Sequence, residues 1–486
     1  MNNDIKELLD LKGTEDIEIT SIEIEDTNKI ITLQKRLTPM YCPDCACIMH
    51  SQGFYNRKVD HSILSDGYKL ILKVRQRKYR CTNRDCNRYL NEEFGFVEKY
   101  QHKSYATPYL ILNDLKEIST TAAYVARKRH VSDTYIHEVV LRYLNFSRLK
   151  LSEIISIDEV FMDMGKDARY CLVIRDFIND EIIDILPNRN KDTIGNFFRN
   201  IPKEERDKVK YLICDMYKPY INLTNTYLRH SKAIVDSFHV IQWINNRINL
   251  YIYKIKKIYQ ERDNQRRKEL NYKENVDFIK RKDNKEVYLL KNHKWVLLAN
   301  KDNIEYKPFR YLNKRLGQYV NTKDIENKFL ALNPEFPILR QLKQRYLDFN
   351  NDLFQTKEEK IKQFDKLIED YQYTDIDMFN DFATLLKNNK EPIIASFDLV
   401  EINHKETGII ETYRRMSNGP MEGFNRIPKD MKRNSRGFLD FEYLRNRLLW
   451  ATRKEPSILG IPKTKEEIKA THKGKKRGPY KKKNKQ

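Results

Sequence analysis

The apolar and polar positions change period several times along the chain. A short helix is predicted at Ile5–Leu11, followed by two β-rich runs, IEITSIEI and KIITLQKR, split by the turn-forming EDTN. These two runs form a predicted hairpin. In YKLILKVRQRKYR, Leu70, Leu72 and Val74 alternate with Lys69, Lys73 and Arg75, giving a strand with one apolar and one basic face. Thr120 to Leu144 then reads as two helices about a break at His130–Ser132, with Ser132 and Asp133 available to cap the second. The spacing is that of a helix-turn-helix.

Beyond residue 150 the apolar runs shorten. IISIDEVF, YCLVIRDF and EIIDILP read as strands, KDTIGNFFRNI as a helix and KVKYLICD as a fourth strand, which together predict a mixed α/β sheet. From about Val240 to Glu401 the segments are long, charged and of helical period, with almost no strand signal, so a helical insertion is expected. The compact pattern returns near Tyr413 and ends near Arg453. Pro456, Pro462 and the lysine-rich end predict a disordered terminus.

At 486 residues the chain has room for about three ordinary domains. Lys and Arg number 91 against 69 Asp and Glu, a net charge of +22 that favours a polyanionic partner such as nucleic acid. The terminal THKGKKRGPYKKKNKQ carries eight basic residues and no acid, yet the body stays basic without it. There is no run of about 18 apolar residues, and MNNDIKELLDL is acidic where a secretory signal is basic. An intracellular, soluble protein is expected.

Seven cysteines, four of them in two tight clusters, suit a reducing compartment and a metal better than disulfides. Cys42 and Cys45 form one knuckle, Cys81 and Cys86 a second, with 35 residues between Cys45 and Cys81. Four thiolates in two turns fit closed, tetrahedral, structural zinc. Cys47, His50 and His61 lie within reach but are left out of the ligand set. Cys171 and Cys214, within apolar runs, read as core thiols.

Acids also stand in unexpected places. Asp158 shares a strand face with Ser156 and Val160, while Glu159 points with Ile157 and Phe161 to the other. Asp215 directly follows the apolar YLIC, at a strand's carboxyl end where sheet proteins gather functional groups. Glu422 lies in SNGPMEGFNR, where Pro420 can occupy a first helical turn. Each acid alone also suits an ordinary solvated edge or a dipole-stabilising helix start.

In their order, YCPDC, RCTNRDC, SIDEVFMDMGKDARYCLVIRD, ICDMYKPYI, IVDSFHVIQ and SNGPMEGFNRIPKDMKRNSRGFLDFEYLRNRLL resemble the ISL-three family of insertion-sequence transposases, from near the N-terminus to about Trp450. The resemblance implies a ribonuclease H-like catalytic fold with a large all-α insertion, preceded by a zinc ribbon and a helix-turn-helix region. It implies domains at 1–100 (hairpin and zinc ribbon), 101–150 (helix-turn-helix), 151–240 and 405–455 (catalytic), 241–404 (insertion) and 456–486 (basic tail). It further implies a DDE triad of Asp158, Asp215 and Glu422 holding Mg²⁺ or Mn²⁺, and structural Zn²⁺ at the four cysteines. Asp236 and His239 look like a supporting DxxH element, although a strand-end acid and a core histidine would read alike. Lys429, Lys432, Arg433 and Arg436 are candidates for DNA phosphates.

Pro428 departs from the family pattern and predicts a kink or an early end to the helix after Glu422. The expected partners are double-stranded DNA, at element ends and target, and a second copy of the chain. The expected setting is the bacterial cytoplasm, in association with the nucleoid. The competing function is a sequence-specific DNA-binding regulator with an inactive catalytic domain.

Overall fold

The computed structural model describes residues 16–471 apart from 65, 165–168, 270–283, 354–355, 404–409 and 439, together with 5, 7, 9 and 11. The helix predicted at Ile5–Leu11 therefore lies partly outside the described residues; Ile5 and Glu7 are helical and Leu9 joins the N-terminal core. No helix among the described residues is long and apolar enough to cross a membrane.

The first strands are β1 (Ile17–Glu25), β2 (Asn28–Lys35), β3 (Met40–Tyr41), β4 (Ile48–Asp60), β5 (Lys69–Cys81) and β6 (Tyr89–Asn91). They form a six-stranded sheet in the order β1-β2-β5-β4-β3, with β6 on β5. β1 and β2 are antiparallel about a two-residue turn at which Asp26 takes a positive φ of 48°. Leu70, Leu72 and Val74 are buried beneath this sheet, as the alternation predicts.

Three helices follow, α1 (Ala106–Lys116), α2 (Ala122–Lys128) and α3 (Asp133–Tyr143). α1 carries no sequence prediction of its own. Ser132 caps α3 by accepting a bond from the Tyr135 amide at 3.2 Å, and His130 makes the turn at φ 52°. α1 and α3 do not form a separate core. Ile111, Leu112, Ile136 and Val140 share one cluster with Val160 and Val173 of the next sheet and with Leu444 and Trp450 near the C-terminus.

That sheet contains β7 (Ile154–Phe161), β8 (Tyr170–Asp176), β9 (Glu181–Leu186), β10 (Tyr211–Cys214) and β11 (Lys232–Val235), ordered β11-β10-β7-β8-β9. β7, β8 and β9 form an antiparallel meander, while β10 is parallel to both β7 and β11. Ile155, Ile157, Leu172 and Ile174 face a layer that includes Phe198 of α4 (Lys191–Arg199). Val160, Cys171 and Val173 face the opposite layer. The sheet is thus covered by helices on both sides, the arrangement its parallel strands require.

The helical segment expected from about Val240 is entered by α5 (Ser237–Glu269), which starts directly after β11. Its core is built largely from helices, including Glu335–Asn351, Lys357–Gln372 and Asp377–Asn388. It is not all-α: Tyr311–Asn313 pairs with Gln318–Val320, and Leu399–Asn403 with Ile410–Arg415. The strands of the first hairpin are only three residues long, and those of the second carry Glu401, Glu411, Arg414 and Arg415, so neither gave a clear period. The chain then returns through α6 (Gly419–Asn434) and α7 (Phe441–Thr452).

Two expectations near the end need correction. α6 neither ends nor breaks at Pro428, which sits buried inside it. Residues 456–471, expected to belong to the disordered tail, pack back: Leu459 and Lys463 amides donate to the Tyr143 and Arg142 carbonyls, both at 2.9 Å. Ile458 and Ile468 add apolar cover to the shared core, which the proline and lysine content obscured. Residues 472–486 lie outside those described.

Candidate functional sites

Each cysteine knuckle is a tight main-chain turn. The Ala46 amide donates to the Cys42 carbonyl at 2.9 Å, and the Asn87 amide to the Asn83 carbonyl at 3.1 Å. Ala46 and Asn87, each just after the second cysteine of its pair, adopt left-handed φ values of 57° and 46°. The turns bring Cys42 Sγ to 3.6 Å from Cys86 Sγ and Cys45 Sγ to 3.4 Å from Cys81 Sγ. All four sulfurs lie within 4.8 Å of one another. Zn–S bonds of about 2.3 Å in a tetrahedron put sulfurs about 3.8 Å apart, so the set fits a tetrahedral ion such as zinc.

The residues left out of that set are accounted for. Cys47 supplies its main chain, accepting from the Cys42 amide at 2.8 Å. Its own amide, followed by the Cys81 thiol, draws the Cys45 thiol down to about 6. His61 is buried and bonded to Ser104 Oγ and the Leu9 carbonyl, both at 2.7 Å. His50 is exposed on β4. Burial pushes the Cys171 thiol up to about 12 and raises Cys214 too, as suits unreactive core groups.

The acidic site forms where β7 and β10 run parallel. Their register pairs Ile213 with Ser156, and its continuation sets Asp215 level with Asp158. Asp158 Oδ1 accepts from the Glu159 amide at 2.7 Å, and Oδ2 accepts from Asn425 Nδ2 of α6 at 2.7 Å. Burial, and then the charge of Asp215, raise the Asp158 carboxyl to about 7. His239, in the first turn of α5, places Nε2 2.5 Å from Asp215 Oδ1. Burial lowers the imidazole's affinity for a proton, but Asp215 outweighs it and the net shift is upward.

Glu422 is exposed in the first turn of α6. Its helix is held against β7 at several points. Asn425 reaches Asp158 as described. Asn418, just before the helix, donates its amide to Asp236 Oδ2 at 3.1 Å and its side chain to the Ile157 carbonyl at 3.3 Å. Buried Asp236 also accepts from the Phe238 amide at 3.2 Å, so one carboxylate ties the start of α5 to the start of α6. The three acids are less tightly drawn than the thiols: among the described residues, only the four cysteines form a set of three or more potential ligands within 4.8 Å.

Glu159 answers the alternation predicted for it. It faces the other layer, pairing with Arg189 at 2.6 Å and accepting from the Tyr220 hydroxyl. The sequence reading missed Asn425 and Asn418, whose side-chain oxygens are buried without partners among the described residues. Asn425 stands one turn after Glu422, and that spacing is the only signal that could have found it.

The basic run after Glu422 divides. Glu422, Asn425, Lys429 and Lys432 recur at helical spacing along one stripe of α6. Lys432 Nζ lies 5.0 Å from the centre of the Phe161 ring at the end of β7. Seven helical residues from Asn425 to Lys432 and three strand residues from Asp158 to Phe161 both span about 10 Å, so helix and strand run side by side. Arg433 is exposed and paired with Asp430, while Arg436 turns the chain out of the helix at φ 57°.

The protein is a mixed α/β protein that brings two carboxylates level where a parallel strand pair ends and holds a separate four-thiol cluster. The family model that matches, described as transposase, spans residues 155–448, well over half of the chain. The chain therefore belongs to the ISL-three family of DDE transposases. A relative, the transposase for insertion sequence element IS1001 of Bordetella parapertussis, is 21% identical over 296 residues, covering 58% of this chain and 64% of its own length. The match thus spans under two thirds of that relative.

Two measurements follow. Protein purified without chelator carries about one zinc per chain by elemental analysis, and Cys81→Ser loses it together with the heat stability of the N-terminal domain; an unchanged zinc content contradicts the assignment. The second concerns Asp158, whose folded-state carboxyl sits near 7 against an ordinary 3.8. A raised acid favours the folded state most below its unfolded value, so stability falls as pH climbs from about 4 to 7. At 1.36 kcal/mol per unit, and discounting for partial solvent access, the loss is about 2–3 kcal/mol. In buffer free of divalent ions, Asp158→Asn melts higher than wild type at pH 8 and equally at pH 4. Mg²⁺ narrows that gap by raising wild type alone; parallel pH curves for the two proteins exclude this account.

Proposed function

We propose that this protein is a DNA transposase that binds the ends of an insertion sequence and performs metal-dependent strand cleavage and strand transfer. The observation that carries the reading is the meeting of Asp158, Asp215 and the Glu422 helix beside β7, in a chain of a transposase family. An antiparallel meander flanked by two parallel strands supports a ribonuclease H-like assignment for the sheet.

Asp158, Asp215 and Glu422 are assigned as the catalytic acids that hold Mg²⁺ or Mn²⁺. Such ions, when bound, activate water or a DNA 3′-hydroxyl and stabilise the leaving oxygen of an in-line displacement at phosphorus. The chain supplies the alignment. Asn425 fixes the plane of the Asp158 carboxylate, and His239 does the same for Asp215. Asp236 anchors the turn that presents Glu422. Lys429 and Lys432 offer charge along the same stripe for DNA phosphates. Arg433 and Arg436 are assigned to more distant phosphates, since the exposed Arg433–Asp430 pair is worth at most about 1 kcal/mol and yields readily.

Structural zinc at the four cysteines braces the N-terminal sheet, and α2–α3 serve as a helix-turn-helix that reads element ends. Two ends must be brought together for transfer, so the working form is a dimer on double-stranded DNA. Its setting is the bacterial nucleoid. The regulator reading is disfavoured because a protein that only binds DNA has no use for three acids held by Asn425, His239 and Asp236.

Cleavage of DNA carrying the element's ends is expected only with Mg²⁺ or Mn²⁺. Asp158→Asn, Asp215→Asn and Glu422→Gln each lower it by about a thousandfold or more while leaving DNA binding in place; full activity in any one removes that acid from the triad. Asn425→Ala is expected to lower cleavage about 10–100-fold and to weaken Mn²⁺ binding by a similar factor, as loss of a ligand's supporting partner does. Unaltered Mn²⁺ affinity would leave Asn425 a merely structural residue.

A further inference from the structure

The register of β4 on β5 sets Lys58 directly opposite Lys73, and Asn56 opposite Arg75. Residues facing one another in an antiparallel pair have Cβ atoms about 4.5–5.5 Å apart, and like charges so placed repel. Acids are present elsewhere on this sheet and are used: Asp60 pairs with Lys69 and Lys103, and Asp66 with Lys29. None serves Lys58, Lys73 or Arg75, which make no ion pair among the described residues. Arg75 instead lies 4.6 Å from the centre of the exposed Phe54 ring.

These residues share the face turned away from the N-terminal core, since Leu70, Leu72, Val74 and Val59 occupy the other. On β2, Gln34 stands level with Arg75 and offers a polar neighbour, while Thr32, level with Lys73, is buried and accepts from Ser21 Oγ at 2.9 Å. Folding therefore gathers three cations without ion pairs of their own on one face of the sheet, while Asp60, two residues from Lys58 on that face, is engaged by Lys69 and Lys103. A polyanion with regularly spaced charges relieves that repulsion; a neutral or basic partner does not.

We propose that this face of the β2-β5-β4 sheet binds the phosphate backbone of duplex DNA, with Lys58, Lys73 and Arg75 each neutralising a phosphate. The proposal rests on the reading of the protein as DNA-binding, and adds a surface distinct from the zinc knuckles, the helices α2–α3 and the acidic site. Because the contacts are to phosphates, they are independent of sequence and visible with any duplex.

The test uses full-length protein carrying Asp158→Asn, a random-sequence duplex of about 40 base pairs, and anisotropy titrations across a salt series without divalent ions. Each phosphate contact contributes about 0.9 to the slope of log affinity against log salt. Lys58→Thr with Lys73→Thr is expected to reduce the slope by about 1.8, and Arg75→Gln by about 0.9 more. Lys58→Arg with Lys73→Arg is expected to keep it. The DNA-free threonine double variant is expected to melt no lower than wild type, since a repulsion has been removed and threonine suits strands. An unchanged slope, or an equal loss in the arginine variant, overturns the proposal. No strand chemistry enters this measurement, so failure to cut DNA and failure of this surface are read separately.

Discussion

The structure depends on keeping two carboxylates side by side where parallel strands end. Charges about 4 Å apart repel by roughly 4 kcal/mol at an effective dielectric near 20, and burial adds to the cost of ionising Asp158. Three neighbours of the pair address this. The Glu159 amide and Asn425 donate to Asp158, and the imidazole of His239 meets Asp215. Neither Asn425 nor the amide carries a full charge, so at Asp158 the arrangement orients the acid without cancelling it, whereas His239 can share a proton with Asp215.

The insertion contributes to the same end from outside the sheet. Arg415, at the end of its last hairpin, donates to the Asn350 and Ser396 carbonyls at 2.8 and 3.0 Å and stacks on Phe397 at 4.0 Å. Buried Lys360 approaches the same ring at 4.5 Å and bonds the carbonyls of Phe349 and Asp352. These cations close helix C-termini, where carbonyls lack partners and the dipole is negative. Three residues after Arg415 comes Asn418, which Asp236 holds. The helical core thus fixes the entry to α6 on one side while the sheet fixes it on the other.

Much of this was legible in the sequence. Contiguous apolar runs gave β7, β8, β9 and β10, and period-2 alternation assigned Asp158 and Glu159 to opposite faces correctly, since that pattern is local. The cysteine spacing led to the four clustered thiols for the same reason. What failed was set by distant packing. β11 is four residues long, α1 carries no strong stop signals, and of the two hairpins one has three-residue strands and the other a strand rich in charge. Pro428 misled because loss of one helical bond at the Phe424 carbonyl is outweighed by burial of the proline and its neighbours Phe424 and Met431.

The unread part of the site has a common cause. Asn425 and Asn418 are polar residues whose value comes from contacts spanning 267 and 261 positions of chain. In isolation an asparagine in a helix is an ordinary surface choice, and nothing in its immediate neighbours marks it as buried. Burial changes its meaning: an unpaired amide oxygen in the interior costs about 1–3 kcal/mol, a cost tolerated in the folded chain at both Asn418 and Asn425. A fold that bears this cost beside Asp158 trades stability for the fixed direction of a carboxylate.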